Sequence, residues 1–339
     1  MISRKTLISL LILALVIGTY FFFKRNTNTT LAIDETNFAI EKTQNIDKIF
    51  LRSRFQNTSA TLTKNDKGVW MINDKYEADG AKVDVLLNAV KNMKVKTPVS
   101  KDYWDMVIKN LSSKGVKVEI YSQNNKLKTY YVGGPTPDQM GTFMWMEDAS
   151  QPYVVYIEGF QGFLSPRFFV NERDWRSKII FAYEPQDIEW VKVDWTDDVA
   201  QSFTITNENN TPSIQSQAFG KGKINENKLR SYLNYFDRLA YEGFPIDMRE
   251  HDIDSVYNKT RAFFVLTLKP KGKPEQTIQI HYKGLKKNSK MQLDREGVQM
   301  PYDIDSYYAF FNSNSKELLM VQDYVFGKVM KKASDFLLE

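Results

Sequence analysis

The 339-residue chain contains no cysteine. This absence excludes disulfide bonds, a thiolate nucleophile, a cysteine-ligated zinc ion and a lipidated cysteine after an amino-terminal leader. A chain of this length without cysteine is typical of a bacterial exported protein that avoids stray oxidation, although a chance absence would give the same composition.

Histidine is almost absent as well, and the sequence predicts no metal site and no cofactor. His251 lies in a charged segment predicted to be a loop, and His281 lies in a predicted strand. A zinc site would need another good ligand at a fitting spacing. The sequence Asp-Ile-Asp-Ser, which begins at Asp252 and again at Asp303, lacks the Gly and Glu of a calcium-binding loop and is better explained by helix capping.

Motifs for common catalytic mechanisms are also missing. The Gly-Lys-Gly-Lys segment that begins at Gly220 is not a complete phosphate loop, and no serine lies in a nucleophile elbow. An active site with two paired carboxylates for sugar chemistry stays an alternative, because such a pair forms in space rather than in sequence and the chain has 41 acidic residues. The sequence therefore predicts no catalytic residue.

The charge pattern argues against a nucleic-acid surface. The net charge is only +5, and basic and acidic residues are mixed along the chain. The densest basic segment, residues 283–290, is interpreted as the solvated rim of a hairpin. With 42% hydrophobic residues, a chain of this length is expected to form two globular units.

One apolar run without a charged residue begins at Leu7 and ends at Phe23, with two basic residues on each side. It lies at the short end of the range for a transmembrane helix, and a cleaved signal peptide is the alternative. The run ends in aromatic residues rather than small ones, which favours an uncleaved anchor. We expect residues 1–25 to be a signal anchor in the inner (cytoplasmic) membrane, residues 26–37 to be a linker, and the body to lie in the periplasm.

The segment between Tyr130 and Phe181 is unusually aromatic. Short aromatic and β-branched runs separated by turn-forming residues predict a β-meander over residues 130–132, 142–146 and 153–157. The apolar residues from Phe160 to Phe169 then fall near helical spacing. The aromatic side chains indicate either a hydrophobic core or a groove for a glycan or peptide, and a core is favoured.

Two amphipathic helices are predicted before the meander. Asp79 lies near the start of the first helix, whose apolar positions run from Val83 to Met93. Ser100 can cap the second helix, and Gly115 ends it. Strands precede and follow this pair.

The same order returns later in the chain. The helical apolar spacing that begins at Val83 recurs at Leu229, and the strand alternation at Val118 recurs at Phe264, both 146 residues later. One offset kept by a helix and a strand predicts two tandem α+β repeat units with mainly antiparallel sheets, after one amino-terminal transmembrane helix. The predicted boundaries are residues 38–134 for the first unit, 135–185 for a central meander and connector, 186–284 for the second unit, and 285–339 for a helical closure.

Several short segments of the chain resemble one family, the domain of unknown function 4340. The resemblance implies a single-span envelope protein of the kind found in Bacteroidota and relatives, accompanied in some bacteria by ABC-type export and gliding components. It implies no catalytic residue. The segments that carry it are Ile46-Asp-Lys-Ile-Phe-Leu51, Gly68-Val-Trp70, Val118-Glu-Ile-Tyr121, Tyr131-Val-Gly-Gly134, Pro152-Tyr-Val-Val155, Gly159-Phe160 and Asp174-Trp-Arg176.

These observations favour a non-enzymatic, membrane-anchored binding or scaffold protein in a transport, secretion or motility assembly. A carboxylate-based enzyme or a binding module acting on envelope glycan is the alternative. Aromatic residues and arginine anchor protein interfaces most often. The candidate interface residues are therefore Tyr153, Phe160, Arg167, Trp175 and Arg176, with envelope proteins as the expected partners.

Overall fold

A computed structural model describes residues 35–246, 248–285, 292–293 and 297–338. The predicted anchor and most of the predicted linker lie outside these residues. Within the described part of the chain, none of the helices combines the length and apolar character needed to cross a bilayer. Contacts divide the chain into two compact units, Met1–Ser177 and Lys178–Glu339, called the first and second units below.

The first unit contains a nine-stranded sheet in which every strand pair is antiparallel. Its order is β4-β3-β2-β1-β6-β7-β8-β9-β5. The strands are β1 Lys48–Ser53, β2 Thr58–Lys64, β3 Trp70–Ile72, β4 Tyr76–Glu77, β5 Met93–Pro98, β6 Val116–Ser122, β7 Asn125–Pro135, β8 Thr142–Met146 and β9 Tyr153–Ile157. The helices are α1 Gly80–Asn92, α2 Trp104–Lys114 and the single turn α3 Glu172–Trp175, with 3₁₀ turns at Thr43–Asn45, Lys101–Tyr103 and Ser165–Arg167.

Helix α1 forms where the apolar spacing predicts it. The Asp79 carboxylate accepts a hydrogen bond from the Ala81 N–H at 3.1 Å and caps the helix. Val83, Leu86 and Val90 are fully buried against one face of the sheet, where they complete its larger core. The helix ends at Asn92, so Met93 begins β5 instead of a further turn.

Helix α2 lies against the opposite face of the same sheet. The predicted cap is wrong, because the 3₁₀ turn Lys101–Tyr103 intervenes and the Ser100 hydroxyl makes no capping hydrogen bond. Gly115 is the C-cap, as predicted. Val107 and Leu111 are buried with Val99 and Val154 in a small second core. The two helices thus cover the two faces of one sheet.

The predicted meander is confirmed, but it does not form a separate connector. Strands β7, β8 and β9 pair in sequence, and β9 also pairs with β5. Their hydrogen bonds place them inside the first sheet. The first unit therefore extends to Ser177.

The second unit contains a seven-stranded antiparallel sheet of order β13-β12-β11-β15-β16-β17-β18 and a two-stranded sheet of β10 and β14. The strands are β10 Ile179–Phe181, β11 Ile188–Trp195, β12 Phe203–Glu208, β13 Thr211–Gln215, β14 Leu239–Ala240, β15 Phe264–Pro270, β16 Gln276–His281, β17 Ser306–Phe311 and β18 Leu319–Gln322. The helices are α4 Glu226–Leu233, α5 Glu250–Lys259 and the single turn α6 Asp323–Phe326, with 3₁₀ turns at Pro185–Asp187, Val199–Gln201, Gln217–Phe219, Asn234–Phe236 and Ala333–Phe336.

Helix α4 is shorter than the apolar spacing predicts. It ends at Leu233, continues as the 3₁₀ turn Asn234–Phe236, and leaves Leu239 in strand β14. Asn234 is a poor helix former, and the tighter turn still turns Phe236 into the core. The burial pattern was predicted correctly, although the backbone that achieves it differs.

The carboxyl-terminal segment is not the predicted helical closure. Residues 306–311 and 319–322 form β17 and β18. Ser306–Phe311 is rich in aromatic residues that favour strands, and Asn312 and Ser313, both with positive φ, turn the chain back. Among the described residues of this segment, only α6 and the turn Ala333–Phe336 are helical. The apolar spacing in this segment therefore marks burial rather than a helix.

His281 is buried in the second unit with only 2% of its surface exposed. The Thr260 hydroxyl donates to the Val256 carbonyl at 2.6 Å, so it accepts from His281 Nδ1 at 2.8 Å. This assigns the neutral ring a proton on Nδ1, and Nε2 has no hydrogen-bond partner within the described residues. Burial lowers the pKa of His281.

Acid should therefore destabilise the second unit through His281. As pH falls below the ordinary histidine pKa of 6.5, the unfolded chain takes up a proton that the folded ring resists, so stability falls toward the lowered folded-state pKa. We expect His281→Phe to flatten the dependence of the free energy of unfolding on pH just below 6.5, measured by denaturant unfolding. His251→Gln, at an exposed ring, is the control, and an unchanged slope in His281→Phe would contradict the expectation.

The contact between α2 and β7 should depend on Gly133. A Cβ there would lie 2.8 Å from Leu111 Cδ2 and 2.9 Å from the Phe143 carbonyl oxygen. Gly133→Ala is expected to destabilise the first unit by about 1–3 kcal/mol, because the Leu111 side chain and the β8 backbone at Phe143 must shift. Gly134→Ala is the matched control, since a Cβ at Gly134 meets no atom within 4 Å. Equal melting temperatures for the two variants would contradict this packing.

Candidate functional site

The open face of the first sheet carries one row of side chains that crosses four adjacent strands. The strand register pairs Arg52 with Lys117, Lys117 with Tyr131, and Tyr131 with Trp145. Successive side chains of a strand point to opposite faces, so the alternate residues Val118 and Tyr130 face the core. The row is thus displayed on the face that α2 only partly covers.

A cavity of about 530 Å³ lies over this row beside α2. We call it the arginine–aromatic groove. It is lined by Phe50, Arg52, Arg54, Leu111, Tyr131 and Trp145, with Lys117, Glu147 and Asp148 also at its surface. A second cavity of about 710 Å³ shares Leu111 and lies beside the loop that follows β7. Helix α2 therefore contributes a wall to both cavities.

The floor of the groove is aromatic. Phe50, Tyr131 and Trp145 are half-buried, and each keeps part of its ring accessible. The Trp145 indole N–H donates to the Ala149 carbonyl at 3.0 Å, which fixes the ring and satisfies its only donor. The accessible part of Trp145 is consequently a rigid apolar platform.

The end of the groove at β1 is cationic. Arg52 and Arg54 are exposed, and neither forms an ion pair with a described residue. Arg52 also lies directly opposite Lys117, and like charges in that position destabilise a sheet. Beside Arg54, Phe55 is 70% exposed, with the Lys114 ammonium 5.9 Å from its ring centre. This end of the groove carries charge that the fold itself does not use.

The carboxylates near the middle of the row are occupied by lysines. Lys117 lies 2.7 Å from Glu119 and 3.9 Å from Glu147, and Lys126 lies 2.9 Å from Glu147. The hydrogen bond from Lys126 is the largest influence on Glu147 and lowers its pKa. Burial raises the pKa of Glu119, but hydrogen bonds from Lys117 and Tyr121 outweigh it and the pKa is lowered. Both carboxylates are therefore ionised at neutral pH.

The opposite end of the groove is acidic. Asp148 follows β8 in a turn, is exposed, and has a positive φ of 66°. Its carboxylate makes no ion pair with any residue that the structure describes. The groove thus carries free cations at β1 and a free anion after β8.

Two of the candidate interface residues predicted from the sequence form an exposed pair. Phe160 is 38% exposed, and the Arg167 guanidinium carbon lies 4.2 Å from the centre of its ring. Arg167 also donates to the Phe163 carbonyl at 3.1 Å. This cation–π pair is available to a partner, although it does not line the groove.

The other three candidates are mainly parts of the core. Trp175 has no exposed surface and donates to the Phe169 carbonyl at 3.0 Å. Tyr153 is 4% exposed and donates to Glu35 at 3.2 Å. Arg176 is 8% exposed, with its guanidinium carbon 3.5 Å from the centre of the Tyr76 ring. Substituting these residues would test the fold of the first unit rather than a contact surface.

The histidines and acidic residues do not form a metal centre in the described parts of the chain, where no group of three or more potential ligands is suitably placed. His251 lies in α5 rather than in the predicted loop, and its Nε2 is 2.9 Å from the Asp252 carboxylate. His281 is enclosed next to Phe310, whose ring centre is 5.4 Å away.

The fold and groove together define an antiparallel α+β protein with an open, charged and aromatic sheet face. A family model described as a domain of unknown function, DUF4340, matches residues 70–258, which is more than half of the chain. The chain therefore belongs to the DUF4340 family. No curated protein and no solved structure shows a significant match.

The link between Lys126 and Glu147 can be tested by titration. Lys126→Gln removes the hydrogen bond, so we expect the pKa of Glu147 to rise toward its ordinary value of 4.5, measured by the carboxyl ¹³C shift against pH. The stability that this bond contributes is present above 4.5 and is lost as pH falls through the lowered pKa. Lys94→Gln removes the distant Lys94–Glu158 pair and should leave Glu147 unchanged. A Glu147 pKa that stays low in Lys126→Gln would contradict the assignment.

Proposed function

We propose that the protein is a membrane-anchored envelope protein that acts, without catalysis, as a binding or scaffold subunit of a transport, secretion or motility assembly. The observation that carries this proposal is the arginine–aromatic groove, in which two arginines that form no ion pair with a described residue adjoin a rigid aromatic floor. Arginine and aromatic residues are the side chains that contribute most to interfaces. The uncharged run from Leu7 to Phe23 supports an anchor, which would restrict encounters to the membrane plane and raise the effective concentration of a partner.

The state of Glu147 in the groove and of Glu119 beside Lys117 favours binding over sugar hydrolysis. A glycosidase needs one carboxylic acid with a raised pKa to protonate the leaving group. Glu119 and Glu147 both have lowered pKa values, because lysines hold them ionised. Neither carboxylate suits the acid role at neutral pH.

We also propose that the two units are copies of one ancestral unit. The strand order β3-β2-β1-β6-β7-β8-β9 in the first sheet matches the order β13-β12-β11-β15-β16-β17-β18 in the second. In each series the first three strands follow reverse chain order and the last four follow forward chain order. A helix pair precedes the fourth strand of each series, and the offset of 146 residues relates the buried pairs Val83 with Leu229 and Val118 with Phe264. In the second unit the helix equivalent to α2 is α5, whose Tyr257 packs on Phe310 with ring centres 4.9 Å apart.

The anchored binding function can be tested on the full-length protein in its native membrane. We expect the protein to stay in the pellet after carbonate extraction and its body to be digested by protease added to spheroplasts. Purification in mild detergent should recover a partner that is lost in Arg52→Gln/Arg54→Gln or in Phe160→Ala.

The control for this experiment is Lys67→Gln/Lys101→Gln, which removes two exposed charges of the first unit outside the groove. It should retain the partner. A soluble processed form that starts near Asn26, or a lone monomer whose behaviour does not change in the groove variants, would overturn the proposal.

A further inference from the structure

We propose that the arginine–aromatic groove binds an extended peptide segment that carries an acidic side chain, an apolar or aromatic side chain, and a basic side chain in that spatial order. This inference rests on the proposed binding function and specifies the ligand of the same site. The acidic side chain would lie at β1, the apolar one over the floor, and the basic one beside Asp148.

The β1 end selects an anion. Arg52 lies in β1 and Arg54 in the turn that follows it, and both side chains line the same end of the groove. Guanidinium groups bind carboxylates in a bidentate manner. Glu147, which also lines the groove, is already bonded to Lys126 and forms no ion pair with either arginine, so both arginines are left to an external partner.

Arg52 is expected to destabilise the first sheet locally. It lies directly opposite Lys117 on the neighbouring strand β6. The carboxylates of Glu119 and Glu147 lie near Lys117 and form no ion pair with Arg52. A residue that opposes local stability without compensation is expected at a functional position. An acidic ligand would supply the compensation that the fold lacks.

The floor selects an apolar or planar group. Tyr131 and Trp145 are paired neighbours across β7 and β8, and Leu111 from α2 forms the wall beside them. An inserted ring or aliphatic chain can contact all three residues. The fixed indole of Trp145 allows this contact without ordering a flexible side chain.

The distance between the charged ends matches a short peptide. Strands β1 and β8 are separated by two strands, β6 and β7, so the ends are at least about 14 Å apart, which is their separation across the sheet at the spacing of neighbouring strands. An extended chain advances about 3.3 Å per residue, so at least about four residue steps connect the two ends.

The opposite charges at the two ends of the groove favour a peptide over a glycan as the ligand. A neutral glycan offers the arginines hydroxyl acceptors but no negative charge, and a polyanionic glycan would be repelled by Asp148. A polypeptide can place a carboxylate and an ammonium at the required separation, with an apolar side chain between them. The observed charges therefore favour a peptide segment of a partner protein.

The test measures binding of fluorescein-labelled, end-capped peptides to full-length protein in detergent micelles by anisotropy. The probe is Glu-Ala-Phe-Ala-Lys, and its counterparts replace Glu with Gln, Lys with Gln, or Phe with Ala. We expect the probe to bind in the micromolar range and more weakly as salt rises. Replacing Glu should weaken binding by about tenfold, as expected for a lost charged hydrogen-bond pair.

Protein variants locate the two ends. Arg52→Gln/Arg54→Gln should weaken binding of the probe by about tenfold and abolish the preference for Glu over Gln. The melting temperature should not fall, because the substitution removes a like-charge pair. Asp148→Asn should abolish the preference for Lys over Gln while the preference for Glu remains. Lys67→Gln/Lys101→Gln should bind as the unaltered protein does. If the double variant unfolds, Arg54→Gln alone replaces it.

Three results would overturn the inference. One is the absence of binding by any peptide, and another is equal affinity for all the peptides. The third is tighter, arginine-dependent binding of an oligouronate, which would assign the groove to an anionic glycan. If a partner still co-purifies through another surface while the peptides fail to bind, this inference fails and the proposed function stands. Loss of both anchor and partner would instead defeat the proposed function.

Discussion

The alternation of side chains along β6 is the constraint on which the first unit depends. Strand β6 lies between β1 and β7, so its residues are flanked on both sides and can face only the two sides of the sheet. Val118 and Ile120 are completely buried beneath α1, whereas Lys117 and Glu119 must point to the other face. A shift of one residue would bury the charged pair and expose the apolar one, so the core holds the open face in register.

The same alternation decides which aromatic residues of this segment enter the core and which stay accessible. Tyr130 is fully buried and contacts Phe38 and Phe168, with ring centres 6.1 and 6.4 Å away. Its neighbour Tyr131 is half-buried and lines the groove. Core and groove, which looked like alternatives for the aromatic segment, are the two faces of one strand.

Local signals in the sequence predicted much of the fold but little of the site. The helix start near Asp79, the Gly115 stop and the alternation at Val118 each depend on a few neighbouring residues, and all three are confirmed. The groove depends on pairing between β1 and β6, strands separated by more than sixty residues, which composition and spacing do not specify. The carboxyl-terminal strands were missed because aromatic residues with mixed spacing fit a helix or a strand equally well until their partner β16 is known.

Packing also explains why most of the interface candidates chosen by residue type are buried. Trp175 and Tyr153 have large aromatic side chains that fill the core of the first unit, and each has a hydrogen-bond partner inside the unit. Arg52 and Arg54 attract little attention in the sequence because they alternate with ordinary strand residues. What distinguishes them is that no described residue neutralises them, since lysines already occupy the nearby carboxylates, and that property exists only after the strands pair. The charge left over after folding is therefore a better guide to this site than residue type.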